Sequence, residues 1–329
     1  MLRPSAVLLT AILSLGAAHA AEVTPAIVFD MGGKFDKSFN EAVHDGAEAF
    51  TKATGIAVRE YEPQTDAQRE QAIRNFARRG QDPIIAVSFS QATAVKAVAA
   101  EFPALHFVII DTVVDAPNVQ SILFREEQGS YLAGMLAALR SGTGKIGFVG
   151  GMDVPLIRKF ACGYVQGARA VNSKVEVLQN MTGSTPSAWA DPVRGAELAR
   201  SQIERGADVV FHAAGATGTG VLQAAADAGK YGIGVDSNQN ALHPGRVLTS
   251  MVKELNVATR TTLDAARAGT WKPGTLVLGL AEGGVGLAFD ANNAPAVTAE
   301  MRSRIDAARA DIVAGRITVH DYTSDNACL

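Results

Sequence analysis

The sequence predicts an α/β protein with two similar lobes, each a parallel β-sheet flanked by helices. Short apolar runs of strand length alternate with helical patterns along most of the chain, as they do in right-handed βαβ units. A second series of this kind begins near residue 128 without repeating the first in sequence. The length of 329 residues is also large for a single hydrophobic core, which favours two lobes.

Composition narrows the classes of function. Apolar residues make up 47% of the chain and charged residues 19%, which excludes disorder and suits buried strands covered by helices. The net charge of −3 argues against nucleic acid or an anionic membrane surface as a partner.

Residues 1–20 have the pattern of a cleavable secretory signal. Arg3 is their only charge, residues 6–15 form an apolar core, and residues 18–20 (A-H-A) match a cleavage site, which predicts a mature start at Ala21. The apolar core is shorter than the roughly 20 residues of a membrane-spanning helix, although a retained signal anchor is the alternative. No cysteine stands at the cleavage point, so we expect an exported protein without a lipid anchor.

The first series of elements begins with an apolar run, a glycine turn and a helical pattern, and then repeats the order of strand and helix. The predicted strands cover residues 26–29, 57–61, 84–89 and 106–110, with a connecting strand at 118–124. The predicted helices cover residues 38–52, 65–78 and 91–102.

The second series has the same order of strands and helices and predicts the second lobe. Its strands are expected at residues 145–151, 175–181, 208–213 and 232–235. Its helices are expected at residues 128–139, 156–170, 192–205 and 218–229.

Beyond residue 246 the alternation breaks, and we expect the chain to return to the first lobe and then cross again to the second. The predicted elements are a connector at 247–250, a helix at 255–268, a strand at 274–280, a glycine turn at 283–284 and a helix at 298–314. This order predicts lobe 1 from residues 21–124 plus 251–283, and lobe 2 from residues 125–248 plus 285–329. The crossings fall near residues 122–127, 247–251 and 282–288, and three segments between two lobes suit a hinge.

The two cysteines, Cys162 and Cys328, are an even pair in a chain that we expect to be exported. One disulfide between them would tie the C-terminal tail back to the helix near residue 160. Sequence spacing alone does not show that the two sulfurs meet, so two buried or free thiols are the alternative.

A ligand-binding corner is predicted directly after the first strand, in residues 30–40. Asp30 ends the strand, two glycines turn the chain, and Phe39 and Asn40 open the following helix. In open α/β sheets, small molecules bind in the crevice beyond the carboxyl ends of the strands. The corner therefore supplies an acid, an aromatic ring and an amide to such a crevice.

Three predicted strands end in aspartate, at Asp30, Asp111 and Asp236. A carboxylate accepts two hydrogen bonds, so several of them lining a crevice suit the paired hydroxyls of a sugar. The alternative for each is an N-cap of the next helix. Metal binding by the three is less favoured, because no D-x-D-x-D or H-E-x-x-H pattern is present.

Two aromatic residues stand where a flat ligand could be stacked. Trp189 lies in a polar loop between a strand and a helix of the second series, and Phe39 opens a helix of the first. Rings on opposing walls would each contribute about 1–3 kcal/mol to binding a flat heterocycle. The alternative is that each ring packs under its own helix.

A glycine loop and a lysine complete the candidate residues. Residues 215–220 have the order Gly-x-x-Gly-x-Gly, which only partly resembles a dinucleotide fingerprint, so we favour a turn that lets backbone approach a ligand or lets the helix pack on the strand. Lys253 follows the connector near the predicted hinge. Its ammonium would donate to sugar oxygens or pair with Asp236, and a surface position is the alternative.

Catalysis finds little support in the sequence. No G-x-S-x-G elbow is present, the six histidines lack metal-ligand spacing, and Cys162 has no histidine beside it. We therefore predict a protein that is not an enzyme and needs no cofactor.

Four motifs occur in this order along the chain: Asp30-Met31-Gly32-Gly33 with Asp36-Lys37-Ser38-Phe39-Asn40, Gly147 to Phe160, Gly234-Val235-Asp236-Ser237-Asn238-Gln239, and Leu248-Thr249-Ser250-Met251-Val252-Lys253. They resemble the basic membrane protein (BMP) family of ABC-transporter substrate-binding proteins, whose best understood members are purine nucleoside receptors. The resemblance runs from about residue 25 to 315.

The resemblance implies a two-lobed periplasmic-binding-protein fold of type I that closes on a nucleoside. It implies that Phe39 stacks on the base beside Asp30 and Asn40, that Asp111, Asp236 and Lys253 grip the ribose, and that Gly215 and Gly284 offer backbone contacts. Trp189 occupies a loop where members supply a contact from the second lobe, often with a different residue. Asn238 replaces an aspartate that is common in the family, which bears on ligand preference.

From the residues and the resemblance together we expect a monomeric periplasmic protein that binds adenosine, guanosine or inosine. Its partners would be an ABC permease and ATPase in the inner membrane. The alternatives are another nucleoside, a base or a sugar-like ligand, or a sensor that presents its closed form to a membrane receptor.

Overall fold

The computed structural model describes residues 23–328, so the predicted leader and its cleavage site lie outside the described residues. None of the helices between these limits is long and apolar enough to cross a membrane.

The described chain forms twelve strands and nine α-helices, which alternate along most of its length. The strands are β1 (Ala26–Val28), β2 (Arg59–Tyr61), β3 (Ile84–Ala86), β4 (Phe107–Ile110), β5 (Val119–Phe124), β6 (Lys145–Met152), β7 (Glu176–Gly183), β8 (Val209–Ala213), β9 (Tyr231–Asp236), β10 (Val247–Lys253), β11 (Gly274–Leu278) and β12 (Val285–Leu287). The helices are α1 (Phe39–Thr54), α2 (Asp66–Arg78), α3 (Ala92–Glu101), α4 (Glu126–Arg140), α5 (Pro155–Val171), α6 (Pro192–Glu204), α7 (Thr217–Asp227), α8 (Leu255–Arg267) and α9 (Ala299–Val313).

These strands form two six-stranded sheets, which confirms the predicted fold class. The order is β11-β5-β4-β3-β1-β2 in the first sheet and β12-β10-β9-β8-β6-β7 in the second. All neighbours are parallel except β12, which runs antiparallel to β10 at the edge of the second sheet. Because parallel strands are covered by helices on both faces, β1, β3 and β4 are apolar and fully buried.

Three crossings lie side by side between the sheets. Arg125 N donates to Leu278 O (2.9 Å), which joins the first crossing to the strand that leads into the third. Glu254 N donates to Gly284 O (2.9 Å), which joins the second crossing to the third. The second crossing falls at Glu254 and not at the predicted residues 247–251, because β10 stays paired with β9 and β12 up to Val252 and Lys253.

We propose that the two sheets, with the helices packed on them, are the two lobes. Lobe 1 is then the first sheet with α1, α2, α3 and α8, and lobe 2 is the second sheet with α4, α5, α6, α7 and α9. With the boundary moved to Glu254, this division follows the predicted ranges.

The C-terminal tail is tied to α5 by a disulfide between Cys162 and Cys328, which confirms the predicted pairing. Gln166 reinforces the attachment through its amide, which donates to His320 O (3.0 Å) and accepts from His320 N (2.9 Å). The tail therefore packs against lobe 2 on the side of α5.

Candidate functional site

A cavity lies between the lobes at the carboxyl ends of the strands. The space between its walls that is free of protein atoms is about 550 Å³, with the open mouth included. Lobe 1 lines it with Asp30, Met31, Asp36, Phe39, Asn40, Ser88, Phe89 and Asp111. Lobe 2 lines it with Leu156, Ile157, Phe160, Trp189, Ala213, Ala214, Gly215, Val235, Asp236 and Lys253.

The first turn of α1 is fixed by Asp36, a residue that the sequence analysis did not select. Its carboxylate accepts hydrogen bonds from the backbone N–H groups of Ser38 (2.8 Å), Asn40 (3.0 Å) and Glu41 (3.1 Å). Burial raises the pKa of Asp36 to about 7, although these three donors favour the carboxylate. Asp36 thus caps the helix and positions the Phe39 side chain at the cavity.

Asn40 lines the cavity, but its amide is occupied by backbone. Its Oδ1 accepts from Asp30 N (3.1 Å), and its Nδ2 donates to Gly33 O (3.1 Å) and Asp30 O (3.3 Å). The side chain therefore holds the glycine turn in place, a role that the sequence did not predict.

Asp30 is buried at the end of β1 and is paired with lobe 1. Its Oδ1 accepts from Arg69 Nη2 (2.6 Å) and from Ser90 Oγ (3.0 Å). Burial raises the pKa of Asp30, and the Arg69 guanidinium opposes that shift. Arg69 is a further residue that the sequence analysis missed, because α2 reads as a charged outer helix.

Lys253, Asp111 and Glu126 form a buried ionic cluster beside Phe39. Lys253 Nζ lies 2.6 and 2.7 Å from the two carboxylate oxygens of Asp111 and 2.9 Å from Glu126 Oε1. It also stands 5.1 Å from the centre of the Phe39 ring, within the range of a cation–π contact. Lys253 is therefore neither on the surface nor bonded to Asp236, the two other positions considered from sequence.

The charges in this cluster depend on one another. Burial disfavours the Lys253 ammonium, but the carboxylates of Asp111 and Glu126 outweigh it and raise the pKa of the lysine. Burial raises the pKa of Asp111 to about 6 against the attraction of Lys253. Glu126 is also buried, yet Lys253 and Lys159 together keep the pKa of its carboxyl below the ordinary value. The cluster is thus a paired and fully desolvated group at the cavity wall.

Asp236 reaches the cavity from the end of β9 and contacts the opposite lobe. Its Oδ2 accepts a hydrogen bond of 2.5 Å from Ser38 Oγ. Burial raises the pKa of Asp236, while Lys253 and Ser38 act in the other direction.

Trp189 lines the cavity because a glycine makes room for its ring. A Cβ on Gly151 of β6 would lie 2.0 Å from the indole, so no other residue fits there without displacing the tryptophan. The loop is fixed by Thr217 Oγ1, which donates to Ala188 O (2.8 Å) and accepts from Asp191 N (2.7 Å). The ring is thus held half-exposed at the cavity, on the wall that faces lobe 1.

The two glycines predicted to offer backbone contacts have different positions. Gly215 lines the cavity, at a positive φ of 56°. Gly284 does not line it, because it lies in the third crossing, where its N–H donates to Gly279 O (2.8 Å) and its carbonyl accepts from Glu254 N (2.9 Å). The later glycines of the 215–220 loop serve packing, since a Cβ on Gly220 would lie 1.8 Å from Pro192 O.

The structure thus brings eight of the nine predicted ligand residues to one cavity and leaves Gly284 outside it. The wall combines aromatic and apolar side chains with four aspartates and one ammonium that is already paired. Within residues 23–328 no group of three or more His, Cys, Asp or Glu side chains is arranged to hold a metal ion. This arrangement suits a neutral ligand with a flat ring and several hydroxyl groups.

Comparison with solved structures identifies the class of protein to which this fold and cavity belong. The chain is similar to a solved solute-binding protein of an ABC transporter system from Aeropyrum pernix, with a TM-score of 0.82 and 26% identity over 90% of this chain and 92% of that one. Two lobes around a cavity at the strand ends are thus those of an ABC-transporter substrate-binding protein.

Within this class the chain belongs to the Bmp family, described as ABC transporter substrate-binding protein PnrA-like, whose profile matches residues 23–323. This confirms the resemblance seen in the sequence. It is a family of binding proteins, so the protein is not an enzyme.

Two relatives have names that bear on the ligand and the anchor. The ABC transporter nucleoside-binding protein BmpA of Lactococcus lactis is 32% identical over 91% of this chain and 89% of its own length. An uncharacterized lipoprotein of Pyrococcus furiosus is 32% identical over 80% of this chain and 70% of its own length.

Proposed function

We propose that the protein binds a purine nucleoside, such as adenosine, guanosine or inosine, between its lobes and delivers it to an ABC importer. The observation that carries this proposal is that one cavity combines Phe39 and Trp189 with Asp111, Asp236 and Lys253. The name of the Lactococcus lactis relative, a nucleoside-binding protein, supports the same ligand class.

The two ring-bearing walls suit the base. Phe39 comes from lobe 1 and Trp189 from lobe 2, so a flat heterocycle between them would contact both lobes at once. Each ring face would contribute about 1–3 kcal/mol, by analogy with other base-stacking sites. Asp30 lies at the same wall as Phe39 and would accept a hydrogen bond from the edge of the base.

The carboxylates suit the ribose. Asp111 and Asp236 accept hydrogen bonds from hydroxyl groups, and the Lys253 ammonium donates to oxygen. Because Lys253 is already shared by Asp111 and Glu126, the described residues that line this wall offer no free cation to compensate an added phosphate. A nucleoside is therefore favoured over a nucleotide.

Calorimetric titration of protein refolded from denaturant, which removes carried ligand, tests the proposal. Adenosine, guanosine and inosine are the main ligands, with free bases, ribose and AMP as comparisons. We expect a nucleoside to bind most tightly and AMP to bind at least about tenfold more weakly than adenosine. Tight binding of a free sugar, with none of any nucleoside, would show that the proposal is wrong.

An ABC-transporter binding protein works with a permease, and we propose that this one does so as a periplasmic monomer released from its signal. The predicted absence of a lipid anchor stays a prediction, since the Pyrococcus furiosus relative is named a lipoprotein. Mass spectrometry of the mature N-terminus checks it: a chain starting at Ala21 without added mass is expected. Light scattering of the purified protein gives the number of subunits.

A further inference from the structure

Two side chains outside the cavity join the lobes to each other. Ser38 belongs to lobe 1 and precedes α1, and Gln239 belongs to lobe 2 and follows β9. Neither residue lines the central cavity, so neither is placed to touch the ligand. Their contacts across the cleft therefore concern the closed arrangement of the lobes.

Ser38 is fully buried and bonds to lobe 2 in two ways. Its Oγ donates to Asp236 Oδ2 (2.5 Å), and its carbonyl accepts from Ser237 Oγ (3.0 Å). The Asp36 carboxylate holds the Ser38 backbone N–H (2.8 Å), so the position of the hydroxyl is fixed from within lobe 1. A hydrogen bond to a carboxylate is stronger than one between neutral groups, particularly away from water.

Gln239 makes a second link, whose orientation is set inside lobe 2. Its Oε1 accepts from Val235 N (3.0 Å) and lies 2.9 Å from His212 Nε2. Because that oxygen is an acceptor on both sides, the His212 proton is on Nε2, and the amide nitrogen of Gln239 points the other way. That nitrogen donates to Lys37 O of lobe 1 (2.8 Å).

The two residues that accept these bonds have unusual backbone conformations. Lys37 and Asp236 have backbone φ angles of 60° and 62°, which residues other than glycine rarely adopt. Such conformations are kept where the surroundings demand them, often at binding sites and switches. Here the Lys37 carbonyl and the Asp236 carboxylate both accept a hydrogen bond from the opposite lobe.

We propose that Ser38 and Gln239 form an interlobe latch that stabilises the closed form and, through Ser38, positions Asp236 for the ligand. The inference rests on the proposed function, since Asp236 is a ligand contact only if the cavity binds a nucleoside. The latch bonds exist only when the lobes are closed, so a bound ligand leaves only after they break. The latch thus slows dissociation and has little effect on the encounter with the open form.

Stopped-flow binding of a nucleoside to the full protein tests the latch. Ser38→Ala is expected to raise the dissociation rate constant about tenfold, with the association rate constant within about twofold of wild type. Ser38→Thr, which keeps the hydroxyl, should recover most of the loss. The matched control is Ser130→Ala, since Ser130 is equally buried, has no hydrogen-bond partner for its hydroxyl and does not line the cavity.

Gln239→Glu provides an independent variant, because it keeps the Oε1 acceptor and replaces the donor to Lys37 O with a second oxygen. It should also speed dissociation. Equal changes in both rate constants, or no change in either variant, would overturn the latch while leaving nucleoside binding intact.

Small-angle X-ray scattering of the ligand-free protein separates the latch from the proposed function. Ser38→Ala should shift the population towards a larger radius of gyration, and Ser130→Ala should not. If wild type bound no nucleoside, the proposed function would fail, and this measurement would still decide for or against the latch. An identical radius for wild type and both latch variants would count against it.

Discussion

At the scale of residues, the site is built from charged side chains that are buried in pairs. Lys253 is shared by Asp111 and Glu126, and Asp30 is paired with Arg69. A buried pair of this kind is costly to break, because the partner that remains keeps its charge without compensation. The cavity wall is therefore rigid where it meets the proposed ribose, and the aromatic rings carry the stacking contacts.

Phe39→Ala should weaken nucleoside binding by at least about tenfold, because it removes one face of the proposed stack. The melting temperature of the ligand-free protein should change little, since the ring is only half-buried at the first turn of α1. Calorimetry and thermal unfolding measure the two effects. Phe35→Ala is the control: Phe35 is 64% exposed and does not line the cavity. A large drop in melting temperature with unchanged affinity would identify Phe39 as a core residue.

His212 gives a prediction about pH. Burial lowers its pKa to about 4, whereas in the unfolded chain the ring titrates near its ordinary value of 6.5. The unfolded state therefore binds a proton first as the pH falls. The stability that the neutral His212 ring contributes is present above its ordinary pKa of 6.5 and is lost as the pH falls towards about 4.

As the pH falls from about 7 to about 5, we expect protonation of His212 in the unfolded state to lower the free energy of unfolding by about 2 kcal/mol. Urea unfolding of wild type and His212→Gln at both pH values measures this share. Buried carboxylates such as Asp36 and Glu127 act in the opposite direction, but they are common to both proteins and cancel in the difference. An equal pH dependence in the two proteins would contradict the assignment.

At the scale of elements, the N-terminus of α1 organises lobe 1 around the site. Asp36 supplies three hydrogen bonds that the helix cannot make for itself, and Phe39, Asn40 and Ser38 all depend on that geometry. The sequence predicted the helix start within one residue, because an apolar strand, a glycine turn and a helical pattern are local signals. It did not predict the cap, since Asp36 stands two residues before Ser38, which is the formal N-cap position.

Asp36→Ala should lower the free energy of unfolding by about 1–2 kcal/mol and also weaken nucleoside binding, because α1 would fray where Phe39 is attached. The control is Thr298→Ala, which removes the side-chain cap of α9. The Thr298 hydroxyl accepts a hydrogen bond from Met301 N (3.2 Å). That variant should cost a similar stability and leave affinity unchanged. Urea unfolding and calorimetry on both variants distinguish a site effect from a general loss of stability.

At the scale of the whole molecule, the sequence predicted the two-lobed α/β fold and most element positions. The buried parallel strands β1, β3 and β4 are apolar throughout and alternate with helices, which makes their pattern easy to recognise. Contacts between distant segments were harder to predict: Ser38 meets Asp236, and Glu126 meets Lys253, only in the folded chain. The strand ends were informative because an aspartate there faces the crevice. Gly284, which only the family resemblance implied as a backbone contact, lies in the third crossing and outside the cavity.

The disulfide predicts a second whole-molecule effect. Cys162 and Cys328 are separated by 166 residues, so their bond restricts the unfolded chain over half its length. Cys162→Ser with Cys328→Ser should lower the free energy of unfolding by about 2–4 kcal/mol. Urea unfolding of wild type with and without reductant is the measurement. Reductant should not change the free energy of unfolding of the double variant. If it also left that of wild type unchanged, the prediction would be contradicted.

The order of strands in the first sheet has a consequence for the newly made chain. β11, the edge strand beside β5, comes after β6 to β10 of the other sheet have all been synthesised. Because a polypeptide is made from its N-terminus, the first half of the chain must wait, with the outer side of β5 unpaired, until Leu278 has emerged. The protein thus cannot complete its lobes one after the other during synthesis, and a chain that stopped before residue 274 would lack an edge in both.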